Sequence, residues 1–307
     1  MPRHRCLLEV AHTCQNDDPW ADASLYAFLC DGVQIGFIPA PVWEVLREHG
    51  AAQDWPLVLL PAQRAVTFAD ACSSVEQRTR AMNEVATWMR DHRLFPDPLD
   101  GWRNEQYAIY GPGERRNRIA FTLERSACAL FGLATFGVHL TAYTPDGRIW
   151  VPKRSSTKPT WPGYYDNSVA GGITAGDGPL ATVVRECEEE AGLPPPLVRE
   201  HVQAAGVLTY FYKTSHGWRQ PEMQYVYDLL LPPDVTLAPS DGEAESFELL
   251  DRATVLDRML EGTFKPNCTL VLMDFFIRHG WLTADNESDY TTLVSLLHTP
   301  LRIPVPS

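Results

Sequence analysis

Three glutamates near the middle of the chain have the spacing of a divalent-metal site. Glu186, Glu189 and Glu190 stand at i, i+3 and i+4, and a helix with about 3.6 residues per turn places them on one face. Carboxylates that converge on one face repel one another unless a cation neutralises them. Because Mg²⁺ and Mn²⁺ prefer carboxylate oxygens, water and substrate phosphates, the spacing predicts metal-assisted chemistry on a diphosphate.

The residues around these acids predict the helix that carries them. Asp177 can cap its start, Gly192 permits a left-handed stop, and prolines follow at 194 to 196. An apolar stripe at helical spacing would anchor the opposite face in a core; its members are Leu180, Val183, Val184, Cys187 and Ala191. An acidic triplet alone is more often a solvent-exposed helix face, so the longer pattern has to decide.

The run from 171 to 193 resembles the signature of the Nudix hydrolases. Its matching positions are Gly171, Asp177, Arg185, Glu186, Cys187, Glu189, Glu190, Gly192 and Leu193. Asp177 stands where that family usually has a glutamate; the shorter acid keeps the charge.

The resemblance implies a catalytic centre as well as a fold. It implies that Mg²⁺ or Mn²⁺ is held by Glu186, Glu189, Glu190 and the backbone carbonyl of Ala170, and that Arg185 orients Glu186. Glu186, Glu189 and Arg185 are then the catalytic candidates on the helix. The implied reaction is attack of a metal-polarised water on a phosphorus atom, with a glutamate as general base.

The general base is not fixed by the signature. Glu243 and Glu245 precede Phe247, where many members of the family carry an extra acid ahead of an aromatic strand residue, and Glu243 is the candidate that we name. An acidic solvent-exposed turn is the alternative interpretation of these two residues.

A basic segment upstream of the signature is the candidate substrate-binding region. Lys153, Arg154 and Lys158 place three cations within six residues of an otherwise acidic chain, and such cations bind phosphates well. Trp161 is a candidate for stacking on a heteroaromatic ring. An ordinary basic loop and simple aromatic packing are the alternatives.

Composition limits the classes of partner. The chain has 307 residues, 45% of them hydrophobic, and a net charge of −13, which argues against binding of a nucleic acid polymer. Seven cysteines show no metal-ligand spacing, so we predict reduced thiols in a cytoplasmic protein. Neither a secretory signal nor a membrane span is expected. A homodimer is one assembly that the sequence leaves open.

The pattern of predicted helices and strands differs before and after the segment 111–126, which predicts two domains. Residues 1–124 are predicted to form a small α+β domain of uncertain role, with helices at 41–49 and 75–92. Residues 125–307 are predicted to form a Nudix-type α/β/α sandwich with a mixed sheet and a C-terminal helical extension. The fold class is therefore α/β, with strands expected at 137–143, 149–153, 206–212 and 225–231 and a helix at 254–261.

Over nearly its whole length the chain resembles the Nudix subfamily described as thiamine pyrophosphokinase-related. The resemblance rests on the segments at 130–143, 153–163, 166–172 and 264–280 in addition to the signature. It implies hydrolysis of thiamine diphosphate, above all of its oxidised or damaged forms, to the monophosphate and phosphate, which is a metabolite-repair activity. Lys265 and Asn267, in the last segment, have no role that the sequence defines beyond a substrate contact.

Three functions remain open from the sequence. The first is the diphosphatase of thiamine-type compounds, and the second is a Nudix hydrolase of nucleoside diphosphates, such as an 8-oxo-dGDP phosphatase, or of ADP-ribose. The third is a non-catalytic module that binds diphosphates. In each case the partner is a small organic diphosphate.

Overall fold

A computed structural model describes residues 3–113, 118–158 and 160–306 of the chain. The N-terminal part contains a four-stranded sheet with the strand order β2-β1-β4-β3, in which β1 and β4 are parallel and the other neighbours antiparallel. The strands are β1 Tyr26–Cys30, β2 Val33–Ile38, β3 Leu57–Leu60 and β4 Ala65–Phe68. A two-stranded ribbon follows, made of β5 Gln106–Tyr110 and β6 Ile119–Glu124.

The helices of this part are α1 Leu7–Ala11, α2 Ala40–His49, α3 Val75–Asp91 and α4 Pro96–Leu99. The start of α3 is fixed by a capping box, because the Ser74 hydroxyl accepts from the Gln77 backbone N–H while the Gln77 side chain accepts from that of Ser74. These elements enclose an apolar core that includes Phe28, Met82 and Phe121.

The C-terminal part contains a six-stranded mixed sheet with the order β10-β11-β7-β8-β12, and β9 pairs with the first half of β7. Its strands are β7 Thr135–Tyr143, β8 Ile149–Arg154, β9 Val169–Gly172, β10 Val202–Lys213, β11 Arg219–Leu230 and β12 Ala244–Leu250. Its helices are α5 Pro179–Ala191, α6 Pro195–His201, α7 Arg252–Leu260, α8 Pro266–Arg278 and α9 Tyr290–Leu296.

Helices cover both faces of this sheet, as the predicted sandwich requires. On β7, Val138 and Leu140 share one core with Val183 and Val184 of α5. The neighbouring strand residues turn to the opposite face, where α7, α8 and α9 build a second core around Val151 and Phe275. The α/β/α sandwich with a mixed sheet is confirmed.

The first helix packs on the C-terminal part of the molecule. Leu7 and Val10 of α1 belong to the same core as α8, and the His4 backbone N–H donates to the Leu260 carbonyl at 2.7 Å. Residues before β1 therefore complete the core of the C-terminal sandwich. The predicted division at residues 124 and 125 stays a prediction.

The predicted elements agree with the structure apart from the bounds of two strands. The helices at 41–49 and 75–92 and the four strands are confirmed within a few residues, although β10 and β11 begin earlier than expected. The proline-containing segment after α3 forms the one-turn helix α4. Ahead of β7 the chain forms a 3-10 helix, Arg125–Phe131. No helix among the described residues is long and apolar enough to cross a membrane.

Candidate functional site

Helix α5 carries the signature residues from Arg185 to Glu190. Two predicted features of this helix are missing: one residue of the apolar stripe is not buried, and no side chain caps the N-terminus. Val183, Val184, Cys187 and Ala191 are buried, whereas Leu180 is 47% exposed. Gly178 occupies the N-cap position without a side-chain cap, and the Asp177 carboxylate instead accepts from Arg185 at 2.5 Å. The predicted capping role of Asp177 was therefore wrong. Gly192 ends the helix with a φ of 65°, as predicted.

Glu186 lies against the backbone of β9. A Cβ atom built on Gly171 would stand 2.3 Å from Glu186 Cδ, so the glycine is required for the carboxylate to approach the strand. The Glu186 side chain is only 16% exposed, and Arg185 Nη2 lies 3.2 Å from its Oε1. Burial raises the pKa of Glu186, while the Arg185 guanidinium acts in the opposite direction.

Glu190 joins two acids from outside the signature. Its carboxylate accepts from the Ala170 backbone N–H at 3.0 Å, and ligand oxygens of Glu190, Asp241 and Glu243 all lie within 4.8 Å of one another. Burial, together with nearby negative charges, raises the pKa of Glu190 well above its ordinary value. Because N–H and C=O of one strand residue point to the same side, the Ala170 carbonyl is expected to face this cluster. Three hard oxygen donors with excess negative charge fit a divalent cation.

Glu189 does not join this cluster. Its side chain is 56% exposed and lies 3.9 Å from Arg185 Nε. The structure therefore separates the three signature acids: Glu186 lies over Gly171, Glu190 lies beside Ala170, and Glu189 faces solvent near Arg185. Asp241 was missed by sequence reasoning, although its position two residues before Glu243 was a usable signal.

Each of the three predicted phosphate-binding cations has a carboxylate partner. Lys153 Nζ lies 3.6 Å from Glu245, and Lys158 Nζ lies 2.6 Å from Glu243 Oε2. The Arg154 guanidinium lies 2.6 Å from Asp166. Lys158 thus contacts the acidic cluster through Glu243, whereas Arg154 forms a largely buried ion pair with Asp166.

The predicted stacking residue packs within its own loop. The Trp161 ring lies 5.1 Å from that of Tyr164 in an edge-on arrangement, and the Trp161 carbonyl accepts from Arg154 Nε at 3.1 Å. The motif residue Pro159 lies outside the described residues.

A polar cluster under the start of α8 gives the 264–280 segment a structural setting. Asp166 is buried between Arg154 and Cys268, whose thiol donates to it at 2.7 Å. Burial alone would raise the pKa of Asp166, but the charges of Lys265 and Arg154 outweigh it and hold the pKa below its ordinary value. Sequence reasoning could not find this cluster, because its members come from three separate segments.

His139 lies in the same region and is held neutral. Its Nδ1 is 2.7 Å from Asn167 Oδ1, and its Nε2 is 3.5 Å from Asn267. Burial, and then the charge of Lys265, lower the pKa of His139 to about 4 from its ordinary 6.5.

We expect His139 to make stability depend on pH. Because its folded pKa is lowered, its contribution is present above pH 6.5 and is lost as the pH falls toward 4, with a slope of up to about 1.4 kcal/mol per pH unit. Urea unfolding between pH 7 and 4.5 would measure it. His139→Gln should flatten the slope, whereas His12→Gln, at an exposed site, should not; equal slopes in both variants would contradict the assignment.

The N-terminal part reaches the loop between β9 and α5. Thr174 donates to Glu105 Oε1 at 3.0 Å, and the Ala175 backbone N–H donates to the Gln106 carbonyl at 2.8 Å. Tyr107 of β5 packs on Gly172. Strand β5 is thus fixed beside the candidate site.

Two family models together cover most of the chain. Residues 6–135 match a domain of unknown function, DUF4743, and residues 135–267 match the NUDIX domain. The 135–267 segment is thus similar to Nudix domains. This matched segment contains Gly171, the whole of α5, the Glu190, Asp241 and Glu243 cluster, and Lys265.

Three relatives align over stretches longer than either matched segment. An uncharacterized Saccharomyces cerevisiae protein, YJR142W, is 38% identical over 222 residues, which cover 67% of this chain and 64% of that protein. Nudix hydrolase 20, chloroplastic, from Arabidopsis thaliana is 36% identical over 216 residues, covering 69% and 56%. Nudix hydrolase 24, chloroplastic, from the same plant is 35% identical over 225 residues, covering 72% and 60%. The chain thus spans between 56% and 64% of the length of these relatives.

Proposed function

We propose that this protein is a divalent-metal-dependent diphosphate hydrolase of the Nudix type. The observation that carries the proposal is the set of three carboxylates, Glu190, Asp241 and Glu243, within 4.8 Å of one another beside the backbone of Ala170. Glu190 and Glu243 are half-buried and Asp241 is exposed; three negative charges this close repel one another without a cation, and carboxylate oxygens suit Mg²⁺ or Mn²⁺.

Each group near this cluster has a task in such a reaction. When bound, the metal would supply Lewis-acid polarisation of water and of a phosphoryl oxygen; Glu190, Asp241, Glu243 and the Ala170 carbonyl would hold it. Glu186, whose pKa is raised by burial, would accept a proton from the attacking water, whereas Glu243, which the sequence suggested as the base, would hold the metal. Arg185 holds Glu186 in its orientation through the 3.2 Å contact.

The proposed substrates are thiamine diphosphate and its oxidised or damaged analogues, which the protein would convert to the monophosphate and phosphate. This choice is supported by the residue patterns of the 153–163, 166–172 and 264–280 segments. Nucleoside diphosphates of the 8-oxo-dGDP type and ADP-ribose are the competing substrates. A metal held by the carboxylate cluster would contact only the diphosphate and would not distinguish the organic groups.

Mass-spectrometric product analysis with Mg²⁺ or Mn²⁺ tests this function. Thiamine diphosphate, its oxidised analogues, 8-oxo-dGDP and ADP-ribose would be compared, with Glu190→Gln as the blank. We expect selective conversion of thiamine-type diphosphates to monophosphates. Cleavage of nucleotides alone would overturn the thiamine assignment, and binding of a diphosphate without turnover would overturn the hydrolase assignment.

Lys158 can act on the substrate phosphate or on Glu243, and kinetics separate the two. If Lys158 binds phosphate equally in the ground and transition states, Lys158→Ala should raise KM about tenfold and leave kcat nearly unchanged. Steady-state kinetics, with Lys213→Ala as a matched lysine control, would measure this. A lower kcat at unchanged KM would instead mean that Lys158 positions Glu243.

A further inference from the structure

The turn that leads into α5 has little support from its own residues. Gly176, Asp177 and Gly178 are all exposed, and a Cβ atom built on either glycine would meet no other described residue within 4 Å, apart from its chain neighbours. Gly178 is the N-cap of α5 and has no side chain to cap the helix. This turn nevertheless carries Asp177, whose carboxylate accepts from Arg185 at 2.5 Å. Contacts from elsewhere must therefore hold the turn in one conformation.

Two hydrogen bonds from the N-terminal part hold the residues just before this turn. The Thr174 hydroxyl donates to Glu105 Oε1 at 3.0 Å, and the Ala175 backbone N–H donates to the Gln106 carbonyl at 2.8 Å. The Thr174 carbonyl in turn accepts from the Asp177 backbone N–H at 3.0 Å. Fixing Thr174 and Ala175 therefore fixes the backbone from which the Asp177 side chain extends.

The two N-terminal partners are themselves held firmly. Glu105 Oε2 lies 2.7 Å from Arg125 Nη1, and the Glu105 backbone N–H donates to the fully buried Glu124 carboxylate at 3.0 Å. The side-chain amide of Gln106 exchanges two hydrogen bonds with Asn83 of α3, at 3.0 and 3.2 Å. Because a network with several partners for each group is rigid, the start of β5 is a fixed support for the turn.

The contacts continue from the turn to the proposed general base. Asp177 Oδ2 lies 2.5 Å from Arg185 Nη1, and Arg185 Nη2 lies 3.2 Å from Glu186 Oε1. One guanidinium thus joins the turn to Glu186. Because the guanidinium is planar and its N–H groups have a fixed geometry, a displacement of Asp177 would move the group that orients Glu186.

We propose that the N-terminal part positions Glu186 for the reaction, and that Glu105 and Thr174 are the positioning residues. Neither residue belongs to the carboxylate cluster that would hold the metal, so they act on the orientation of the base and not on metal binding. The 6–135 segment thereby has a task in catalysis although its residues need not touch the substrate. This inference rests on the proposed diphosphatase function.

Replacing the Thr174 hydroxyl tests the proposal. Thr174→Val keeps the shape of the side chain but cannot donate to Glu105. We expect it to lower kcat about tenfold at nearly unchanged KM, because a small displacement of a reacting group is costly while substrate contacts remain. Thr174→Ser restores the donor and should recover most of kcat. Steady-state kinetics with thiamine diphosphate, 8-oxo-dGDP and ADP-ribose would measure both variants.

Thr292→Val is the matched control, because it makes the same change at an exposed position of α9. It should leave kcat and KM at their wild-type values. In Thr174→Val the metal-induced rise in melting temperature should also equal that of the wild type. Loss of this rise would mean that the substitution damages the metal site, and it would overturn the positioning assignment.

A double-mutant cycle tests the route through Asp177. Asp177→Asn removes the charge that holds Arg185, so in this background the hydroxyl of Thr174 has little left to position. Thr174→Val should then lower kcat by less than about twofold. Losses that add in full would show that Thr174 acts independently of Asp177, which would contradict the proposal.

Amide hydrogen exchange separates this inference from the hydrolase function. Thr174→Val should raise exchange in the 172–178 segment several-fold and leave that of β11 unchanged, since only the turn loses a support. If no diphosphate is cleaved but exchange rises in this way, the hydrolase function falls and the N-terminal support of the turn stands. If diphosphates are cleaved and kcat is unchanged in Thr174→Val, the inference is overturned and the hydrolase function stands.

Discussion

Glu190→Gln is expected to lower kcat/KM for any diphosphate substrate by about a thousandfold or more. The substitution removes one charge from the cluster of Glu190, Asp241 and Glu243. A bound metal supplies several kcal/mol of transition-state stabilisation, and each 1.4 kcal/mol corresponds to a factor of ten in rate. Steady-state kinetics at saturating Mg²⁺ or Mn²⁺ would measure the loss.

The same variant should not lose stability when no metal is present. Burial raises the pKa of Glu190, so the charged carboxylate destabilises the metal-free fold near neutral pH. Glutamine keeps the shape and can still accept from the Ala170 backbone N–H. The melting temperature without metal should therefore equal or exceed that of the wild type, and the metal-induced rise in melting temperature should be reduced.

Glu188→Gln is the matched control for this experiment. Glu188 lies on the same helix, is exposed and has no assigned role, so its variant should retain activity and the metal-induced thermal shift. Near-normal kcat/KM in Glu190→Gln would refute the proposed metal site. A large loss of kcat/KM in both variants would indicate that the substitutions disrupt α5 instead.

Asp166→Asn is expected to have the largest effect on stability. The Asp166 carboxylate pairs with Arg154 at 2.6 Å, with both side chains largely buried, and its charge also faces Lys265. Asparagine would leave two cations without their shared counter-charge. Breaking one partner of a buried ion pair typically costs about 3 to 5 kcal/mol, and urea unfolding at pH 7 would measure that change.

The pH dependence of this effect has a defined sign. Because the pKa of Asp166 is lowered from its ordinary 3.8, its contribution is present above that pH and is lost as the pH falls further. The difference in the free energy of unfolding between wild type and variant should therefore decrease as the pH falls. Asp146→Asn, at an exposed ion pair with Arg148, should change stability little. Equal effects of the two variants would contradict a structural role for Asp166.

The sequence by itself determined the parts of this molecule that depend on local spacing. The period of apolar and acidic residues defined α5, and Gly192 set its end, because helix periodicity and left-handed stops are properties of a few consecutive residues. The alternation of apolar residues likewise located β7, β8 and β11. These elements are enough to indicate the α/β/α sandwich.

The tertiary structure alone decided which of the acids meet and what the basic residues contact. Glu190 lies beside Asp241 and Glu243, which directly precede β12, rather than beside Glu189, and the helix pattern could not distinguish these partners. Lys158 pairs with Glu243 and Arg154 pairs with Asp166, and neither partner is a near neighbour in the sequence. The spacing of residues along the sequence does not show which side chains of separate segments lie in contact.

The same reason explains why the N-terminal contribution was missed. Tyr107 meets Gly172 only because β5 is fixed beside the β9 to α5 loop, and Asp166 meets Cys268 across 102 positions of the chain. Local periodicity specifies which face of an element a residue occupies, whereas long-range packing of those faces specifies its neighbours. The sequence therefore determined the helix that carries the signature, and only the folded chain determined the surroundings of that helix.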